Sequence, residues 1–259
     1  MILNIKKYGF KTIRFPVTWI NFIDDFGNVK TEWMQQVKEV VKWIVGKNIY
    51  CILNLYHDSD PGNWLQKGII AKDKYINLWT QNAEEFKDYN EYLVFEAMNK
   101  LLNINSFLNY DYSLLYNFTQ IFIDIVRNSG GYNSKRLLLL PGMNADLDLT
   151  FSSKFEIPND PANKSAISIH YYHPISFTSN IIHYYQNKYD IDWGSELDYK
   201  TIISDFNKIK NYIVDKNIPI ILTEIGVITE ENKDKISIRE YLYTVFSLSF
   251  EKDGIVPCL

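Results

Sequence analysis

Polar residues that could do chemistry recur where apolar runs end. Arg14 lies in TIRFPV, Tyr56, His57 and Asp58 close YCILNLYHD, Asn99 and Lys100 follow YLVFEAM, His170 to His173 close SAISIHYYH, and Glu224 sits in PIILTEIG. A carboxylate inside an apolar strand is rare without a reason. With Arg, Asn, His and Tyr approaching from other strands, it forms a set suited to acid–base or nucleophilic chemistry. Plainer explanations exist. Arg14 could equally pair with a core carboxylate such as Glu96, and a lone His170 is as often a satisfied core histidine as a functional one.

The elements that must position these groups follow from hydrophobic periodicity. Apolar runs at 12–17, 50–56, 92–98, 136–140, 165–172, 219–226 and 254–259 read as seven strands. Helical stripes fall between them at 31–45, 73–90, 113–127, 198–215 and 236–249, and residues 2–8 look like the end of a helix. Gly46 is a fair helix stop, Gly130 and Gly131 read as a turn, and 144–164 reads as a loop. Strands apolar on both faces and joined by helices imply a parallel sheet covered by helices. The expected fold is α/β, a (β/α)8 barrel over 1–259 as a single partial domain, lacking its first strand and its last helix. A doubly wound open sheet is the alternative, but no glycine-rich loop follows any strand. In a parallel barrel the C-terminal strand ends carry function, and that is where the polar residues lie.

Composition narrows the function classes. The chain has 259 residues, 46% hydrophobic and 22% charged, with a net charge of −4, and no Lys/Arg cluster offers a nucleic acid a basic stripe. Cys51 and Cys258 each lie in an apolar run and read as free core thiols. No CxxC or HExxH occurs, so no metal or cofactor is expected. No apolar stretch approaches the roughly 20 residues of a membrane span, and MILNIKKYGF lacks the pattern of a signal peptide. Aromatics reach 15%, which makes ring platforms a candidate feature beside an aromatic core.

Several segments together resemble one family. GFKTIRFPVTW is similar to the second-strand segment of glycoside hydrolase family 5, the cellulase and β-mannanase family. LVFEAMNK resembles its fourth-strand Asn-Glu motif, SISIHYYHP its His-x-Tyr motif, PIILTEIG its seventh-strand segment, and KDGIVPCL its approach to the eighth strand. The run from His170 to Phe177 leans toward the endo-β-1,4-glucanase branch. The resemblance implies retaining hydrolysis of a β-glycosidic bond by two carboxylates about 5–5.5 Å apart. It implies Glu224 as nucleophile, Arg14 and Tyr172 orienting it, Asn99 holding the sugar 2-hydroxyl, and His170 completing the polar wall. The implied partner is a plant cell-wall β-glucan, and secretion is implied by the family's substrates, while further modules in a longer parent chain stay open.

Two positions depart from the family pattern. Lys100 stands where the family has its acid/base Glu, and Tyr56 replaces the first of a His-His pair. His57 is counted with the orienting residues, although neighbouring strand residues point to opposite faces. A lysine is cationic at neutral pH, so it would pair with Glu224 and leave no base for water. Asp58 or Asp60 could stand in, although loop carboxylates are usually solvated. The expectation is an endoglucanase-type hydrolase with impaired activity. The alternatives are an inactive barrel that binds β-glucan and a truncated gene product that cannot close its barrel. Trp64, Trp19 and Tyr56 are the expected sugar-binding rings, with Trp193 a further candidate. Trp33, Trp43 and Trp79, inside helices, read as ordinary packing.

Overall fold

The computed structural model describes residues 2–58, 60, 62–101, 110–179, 190–229 and 233–258. The chain divides into two compact units, Met1–Ala166 and Ile167–Leu259.

In the first unit α1 (Ile2–Lys7) leads into β1 (Thr12–Thr18), followed by α2 (Thr31–Val45), β2 (Tyr50–Tyr56), α3 (Lys72–Phe86), β3 (Leu93–Glu96), α4 (Tyr112–Asn128) and β4 (Leu138–Pro141). Successive strands pair in parallel, with Arg14 beside Ile52, Thr18 beside Tyr56 and Asn54 beside Glu96. Residues 51–55 of β2 and all of β3 and β4 are buried, as expected of strands covered on both faces. The helices lay apolar stripes on them: Met34, Val37, Val41 and Ile44 from α2, and Leu115, Phe118, Phe122 and Val126 from α4. Asp111 caps α4 by accepting from the Leu114 N–H at 2.9 Å.

In the second unit β5 (Ser165–Tyr171) begins at the division. It is followed by α6 (Ile175–Thr178), α7 (Glu196–Lys216), β6 (Ile220–Ile225), α8 (Lys235–Glu251) and β7 (Ile255–Pro257). Its three strands also pair in parallel. Ser195 and Asp198 close a capping box on α7, and Asp234 caps α8.

Seven strands and the five long helices stand close to where periodicity placed them. The differences have physical causes. The expected strand 136–140 starts later, because Arg136 turns inward. Its fully buried guanidinium donates to Asn133 Oδ1 and to the carbonyls of Phe86, Tyr89, Asn90 and Leu93 at 2.6–3.2 Å. Burial pushes its pKa down to about 10. The loop 144–164 contains α5 (Leu147–Thr150), too short to show a period. Gly46 does not need left-handed backbone (φ −64°). The positive φ falls on Asn48 instead, and Gly46 is required because a Cβ there would come within 2.8 Å of the Lys42 carbonyl. Cys51 and Cys258 are both buried. Among the described residues, no helix is long and apolar enough to cross a membrane.

Candidate active site

In the first unit the strand ends gather around Arg14. Its Nε donates to Glu96 Oε2 at 2.7 Å and its Nη2 to Glu96 Oε1 at 3.2 Å, a two-pronged grip on a carboxylate with 0% exposure. Nη2 also donates to Asn99 Oδ1 at 2.8 Å. The Tyr56 ring lies 5.5 Å from the guanidinium carbon. β3 ends at Glu96, earlier than expected, so Asn99 and Lys100 lie beyond it. The Asn99 N–H is fixed to the Leu55 carbonyl at 2.9 Å, and the Asn99 side chain is buried while Lys100 is partly exposed. Arg14, Tyr56 and Asn99 therefore come together, and the core carboxylate weighed as Arg14's partner is there too. Glu224 belongs to the other unit.

His57 does not join them. Its backbone is left-handed (φ +48°), its side chain is 54% exposed, and Nδ1 pairs with Asp60. The expected orienting role is corrected: the chain turns at His57, and its exposed imidazole is taken up by Asp60. Asp60 is engaged in that pair.

Asp58 is fully buried. It accepts from the Trp19 backbone N–H at 2.8 Å and from Trp64 Nε1 at 2.6 Å. Burial pushes its pKa up to about 6 despite those hydrogen bonds, one from Ile20 and the nearby Lys74. It is a tether between two loops. This corrects two expected sugar platforms. Trp19 is 1% and Trp64 6% exposed, so neither offers a face to a pyranose. Trp193 is likewise buried, edge-on to Tyr199 and Tyr241. Trp33 stacks on Phe22 and Trp79 is buried, the ordinary packing expected of them.

In the second unit Glu224 stands near the end of β6 with its side chain 20% exposed. Tyr172 Oη donates to Glu224 Oε2 at 3.2 Å, and His170 Nδ1 lies 3.2 Å from the same oxygen. A register shift brings them there. Ile169 pairs with Leu222, but His170 pairs with Glu224, so β6 carries one extra residue at this point. His170 and Tyr172, two apart, then face the same side. Tyr171 and His173 face the other way, onto Asp205 of α7. Asp205 was not singled out from the sequence. Its signal is an acidic residue inside the apolar stripe Ile202, Phe206 and Ile209.

A family model described as cellulase (glycosyl hydrolase family 5) matches residues 1–257. This chain belongs to glycoside hydrolase family 5. It is 34% identical to endoglucanase A of Paenibacillus barcinonensis over 90% of this chain and 65% of that one. The structure of a GH5-4 broad-specificity endoglucanase from an uncultured bovine rumen ciliate superposes with a TM-score of 0.94 at 46% identity, covering 100% of this chain and 75% of that chain. A variant of a family 5 lichenase from Caldicellulosiruptor sp. F32, in complex with cellotetraose, superposes with a TM-score of 0.90 at 28% identity, covering 99% and 73%. The fold is accordingly that of family 5, a (β/α)8 barrel, to which the seven strands belong. This family 5 chain spans 65%, 50% and 56% of the length of three curated endoglucanases that it matches.

Among the described residues no group of three or more His, Cys, Asp or Glu could hold a metal ion.

Proposed function

We propose that this chain is a β-glucan hydrolase of the endo-β-1,4-glucanase type, with Glu224 as nucleophile and with turnover impaired because Lys100 occupies the acid/base position. The observation that supports it most is the Glu224 carboxylate near a strand end, partly open to solvent and contacted on Oε2 by Tyr172 Oη and His170 Nδ1, each at 3.2 Å. Such contacts hold a carboxylate in a fixed orientation, as a nucleophile needs.

In the proposed reaction a Glu224 oxygen bonds to the anomeric carbon as the bond to the glycosidic oxygen breaks. The leaving oxygen takes the electron pair and needs a proton. Asn99 would hold the sugar 2-hydroxyl, with its carbonyl oxygen already engaged by Arg14. Tyr56 would border the sugar. In the second step a base must take a proton from the water that attacks the glycosyl-enzyme. A lysine ammonium has three donors and no acceptor, so it cannot be that base.

Three carboxylates of the first unit are each already engaged. Glu96 is buried on Arg14, Asp58 is buried among N–H donors, and Asp60 holds His57. Losing acid/base assistance costs about 100- to 10,000-fold. The relatives' names point to a β-glucan as the polymer bound, and an extracellular place of work goes with such a polymer. Lys100 also favours a second reading, a barrel that binds β-glucan without cleaving it.

The test is reducing-end release from soluble β-1,4-glucan by the native chain and its Lys100→Glu variant. The proposal expects the variant to be at least about 100-fold faster. Equal rates would overturn the role given to Lys100. Binding of the glucan without cleavage by either would favour the second reading.

A further inference from the structure

Behind the His170–Tyr172 pair lies a buried acid that the reaction does not use. Asp205 sits on the inner stripe of α7 with its side chain 7% exposed. Its Oδ2 accepts from Tyr171 Oη at 3.1 Å and lies 2.9 Å from His173 Nδ1, whose proton is assigned by its carboxylate partner. Lys208 Nζ, on the exposed side, is 3.6 Å from Oδ1. Tyr171 is fully buried and meets Phe206 edge-on at 5.4 Å. Burial alone would push the Asp205 carboxyl up, but the hydrogen bonds from His173 and Tyr171 and the nearby charges outweigh it and hold it below its ordinary value.

The spacing gives this acid a consequence at the front of the strand. Residues 170 to 173 alternate, two facing Glu224 and two facing Asp205. One carboxylate oxygen fixes the rotation of both rear residues. The backbone transmits that rotation to the front pair, because adjacent side chains along an extended chain are locked to opposite faces. Thr178 adds a second restraint, its hydroxyl donating to the Tyr172 carbonyl. A buried carboxylate is costly beside well-packed apolar side chains, so packing alone does not account for it.

We infer that Asp205 is a positioning residue, which through Tyr171 and His173 aims His170 and Tyr172 at the Glu224 carboxylate. The inference rests on Glu224 being the nucleophile.

It can be tested without the missing acid. A dinitrophenyl β-cellobioside fluorinated beside the anomeric carbon labels a nucleophile covalently: the Glu224 oxygen bonds to the anomeric carbon, and dinitrophenolate departs with the electron pair and needs no proton. The native chain, Asp205→Ala, Asp205→Asn, His173→Phe and the control Asp160→Asn are compared. The control weakens a buried ion pair with Arg127 in the other unit. Asp205→Ala is expected to lower the saturating labelling rate by about 10- to 100-fold, with the half-saturating concentration unchanged. Asp205→Asn, which keeps an acceptor oxygen, should recover most of that loss, and His173→Phe should fall between them. If Asp205→Ala does not fold, His173→Phe and Asp205→Asn report the same rate. Native labelling rates in the folded Asp205 and His173 variants would overturn the inference, as would an equal loss in a control of matched stability. Failure of the native chain to label at Glu224 would instead overturn the nucleophile assignment.

Discussion

Glu96 ends β3 and Glu224 stands one residue before the end of β6, and their surroundings differ. Glu96 is wholly buried and gripped at both oxygens by Arg14. Glu224 keeps a fifth of its side chain exposed, and its Oε2 meets a tyrosine hydroxyl and an imidazole. A carboxylate clamped by a guanidinium inside the core holds structure, because its charge is already matched and its lone pairs are directed inward. A partly exposed carboxylate near a strand end can still approach a carbon atom. The same residue type therefore serves two purposes, and the difference lies in which neighbours reach it and from which side.

The largest effect that would break this contrast concerns Glu224. In the Lys100→Glu background, Glu224→Gln is expected to reduce glucan cleavage to background, measured as reducing ends, while leaving a cooperative thermal transition. Activity surviving in Glu224→Gln would remove the functional half of the comparison.

The structural half is tested at Arg14. Replacing it with Leu strands Glu96 as an unmatched buried charge and should lower stability by about 3–5 kcal/mol in urea unfolding. The double replacement Arg14→Leu, Glu96→Leu should recover most of that loss. A double variant no better than the single would mean that Arg14 stabilises mainly through Asn99.

Asp58 sharpens the comparison with a third environment: buried, and bound by N–H groups. Its carboxyl is pushed up to about 6 from an ordinary value of 3.8, mainly by burial. Between these values the folded chain holds the proton more tightly than the unfolded chain. Stability therefore falls as pH rises from about 4 to about 6. Relative to Asp58→Asn, the native chain should lose up to about 3 kcal/mol across that window, read from urea midpoints. A flat difference would show that the N–H groups offset the burial in full.

The smallest effect belongs to Tyr172. Tyr172→Phe removes one hydrogen bond to Glu224 and should slow its covalent labelling by about 10-fold, with stability changed by no more than about 1.5 kcal/mol. An unchanged rate would leave His170 as the main support of that oxygen.

Much of this arrangement was legible in the sequence because a parallel α/β chain alternates two simple signals. All-apolar runs mark strands, and stripes such as Leu115, Phe118, Phe122 and Val126 mark the helices between them. The polar residues at strand ends could be collected in the same pass, and the structure joins Arg14 to Asn99 and Glu224 to His170 and Tyr172. Side-chain destinations were less visible. Trp19 and Trp64 have the residue type of a sugar platform, but Asp58 draws their neighbourhood inward, and no local pattern announces such a tether. His57 was misplaced because a single left-handed residue ends the strand's alternation. Arg136 looked like the start of a strand because the carbonyls it satisfies lie 43 to 50 residues away. The extra residue that sets His170 against Glu224 is equally silent in sequence, since bulges follow pairing with a neighbour.

The most direct measurement is the early time course of dinitrophenolate release from dinitrophenyl β-cellobioside by the native chain. With Glu224 as nucleophile and Lys100 unable to act as base, the first step needs no acid and the second is slow. The account predicts a burst of about one dinitrophenolate per protein, then slow turnover, with a cellobiosyl group found on Glu224 by mass spectrometry. Steady turnover without a burst, together with cleavage of unactivated glucan at a comparable rate, would contradict it.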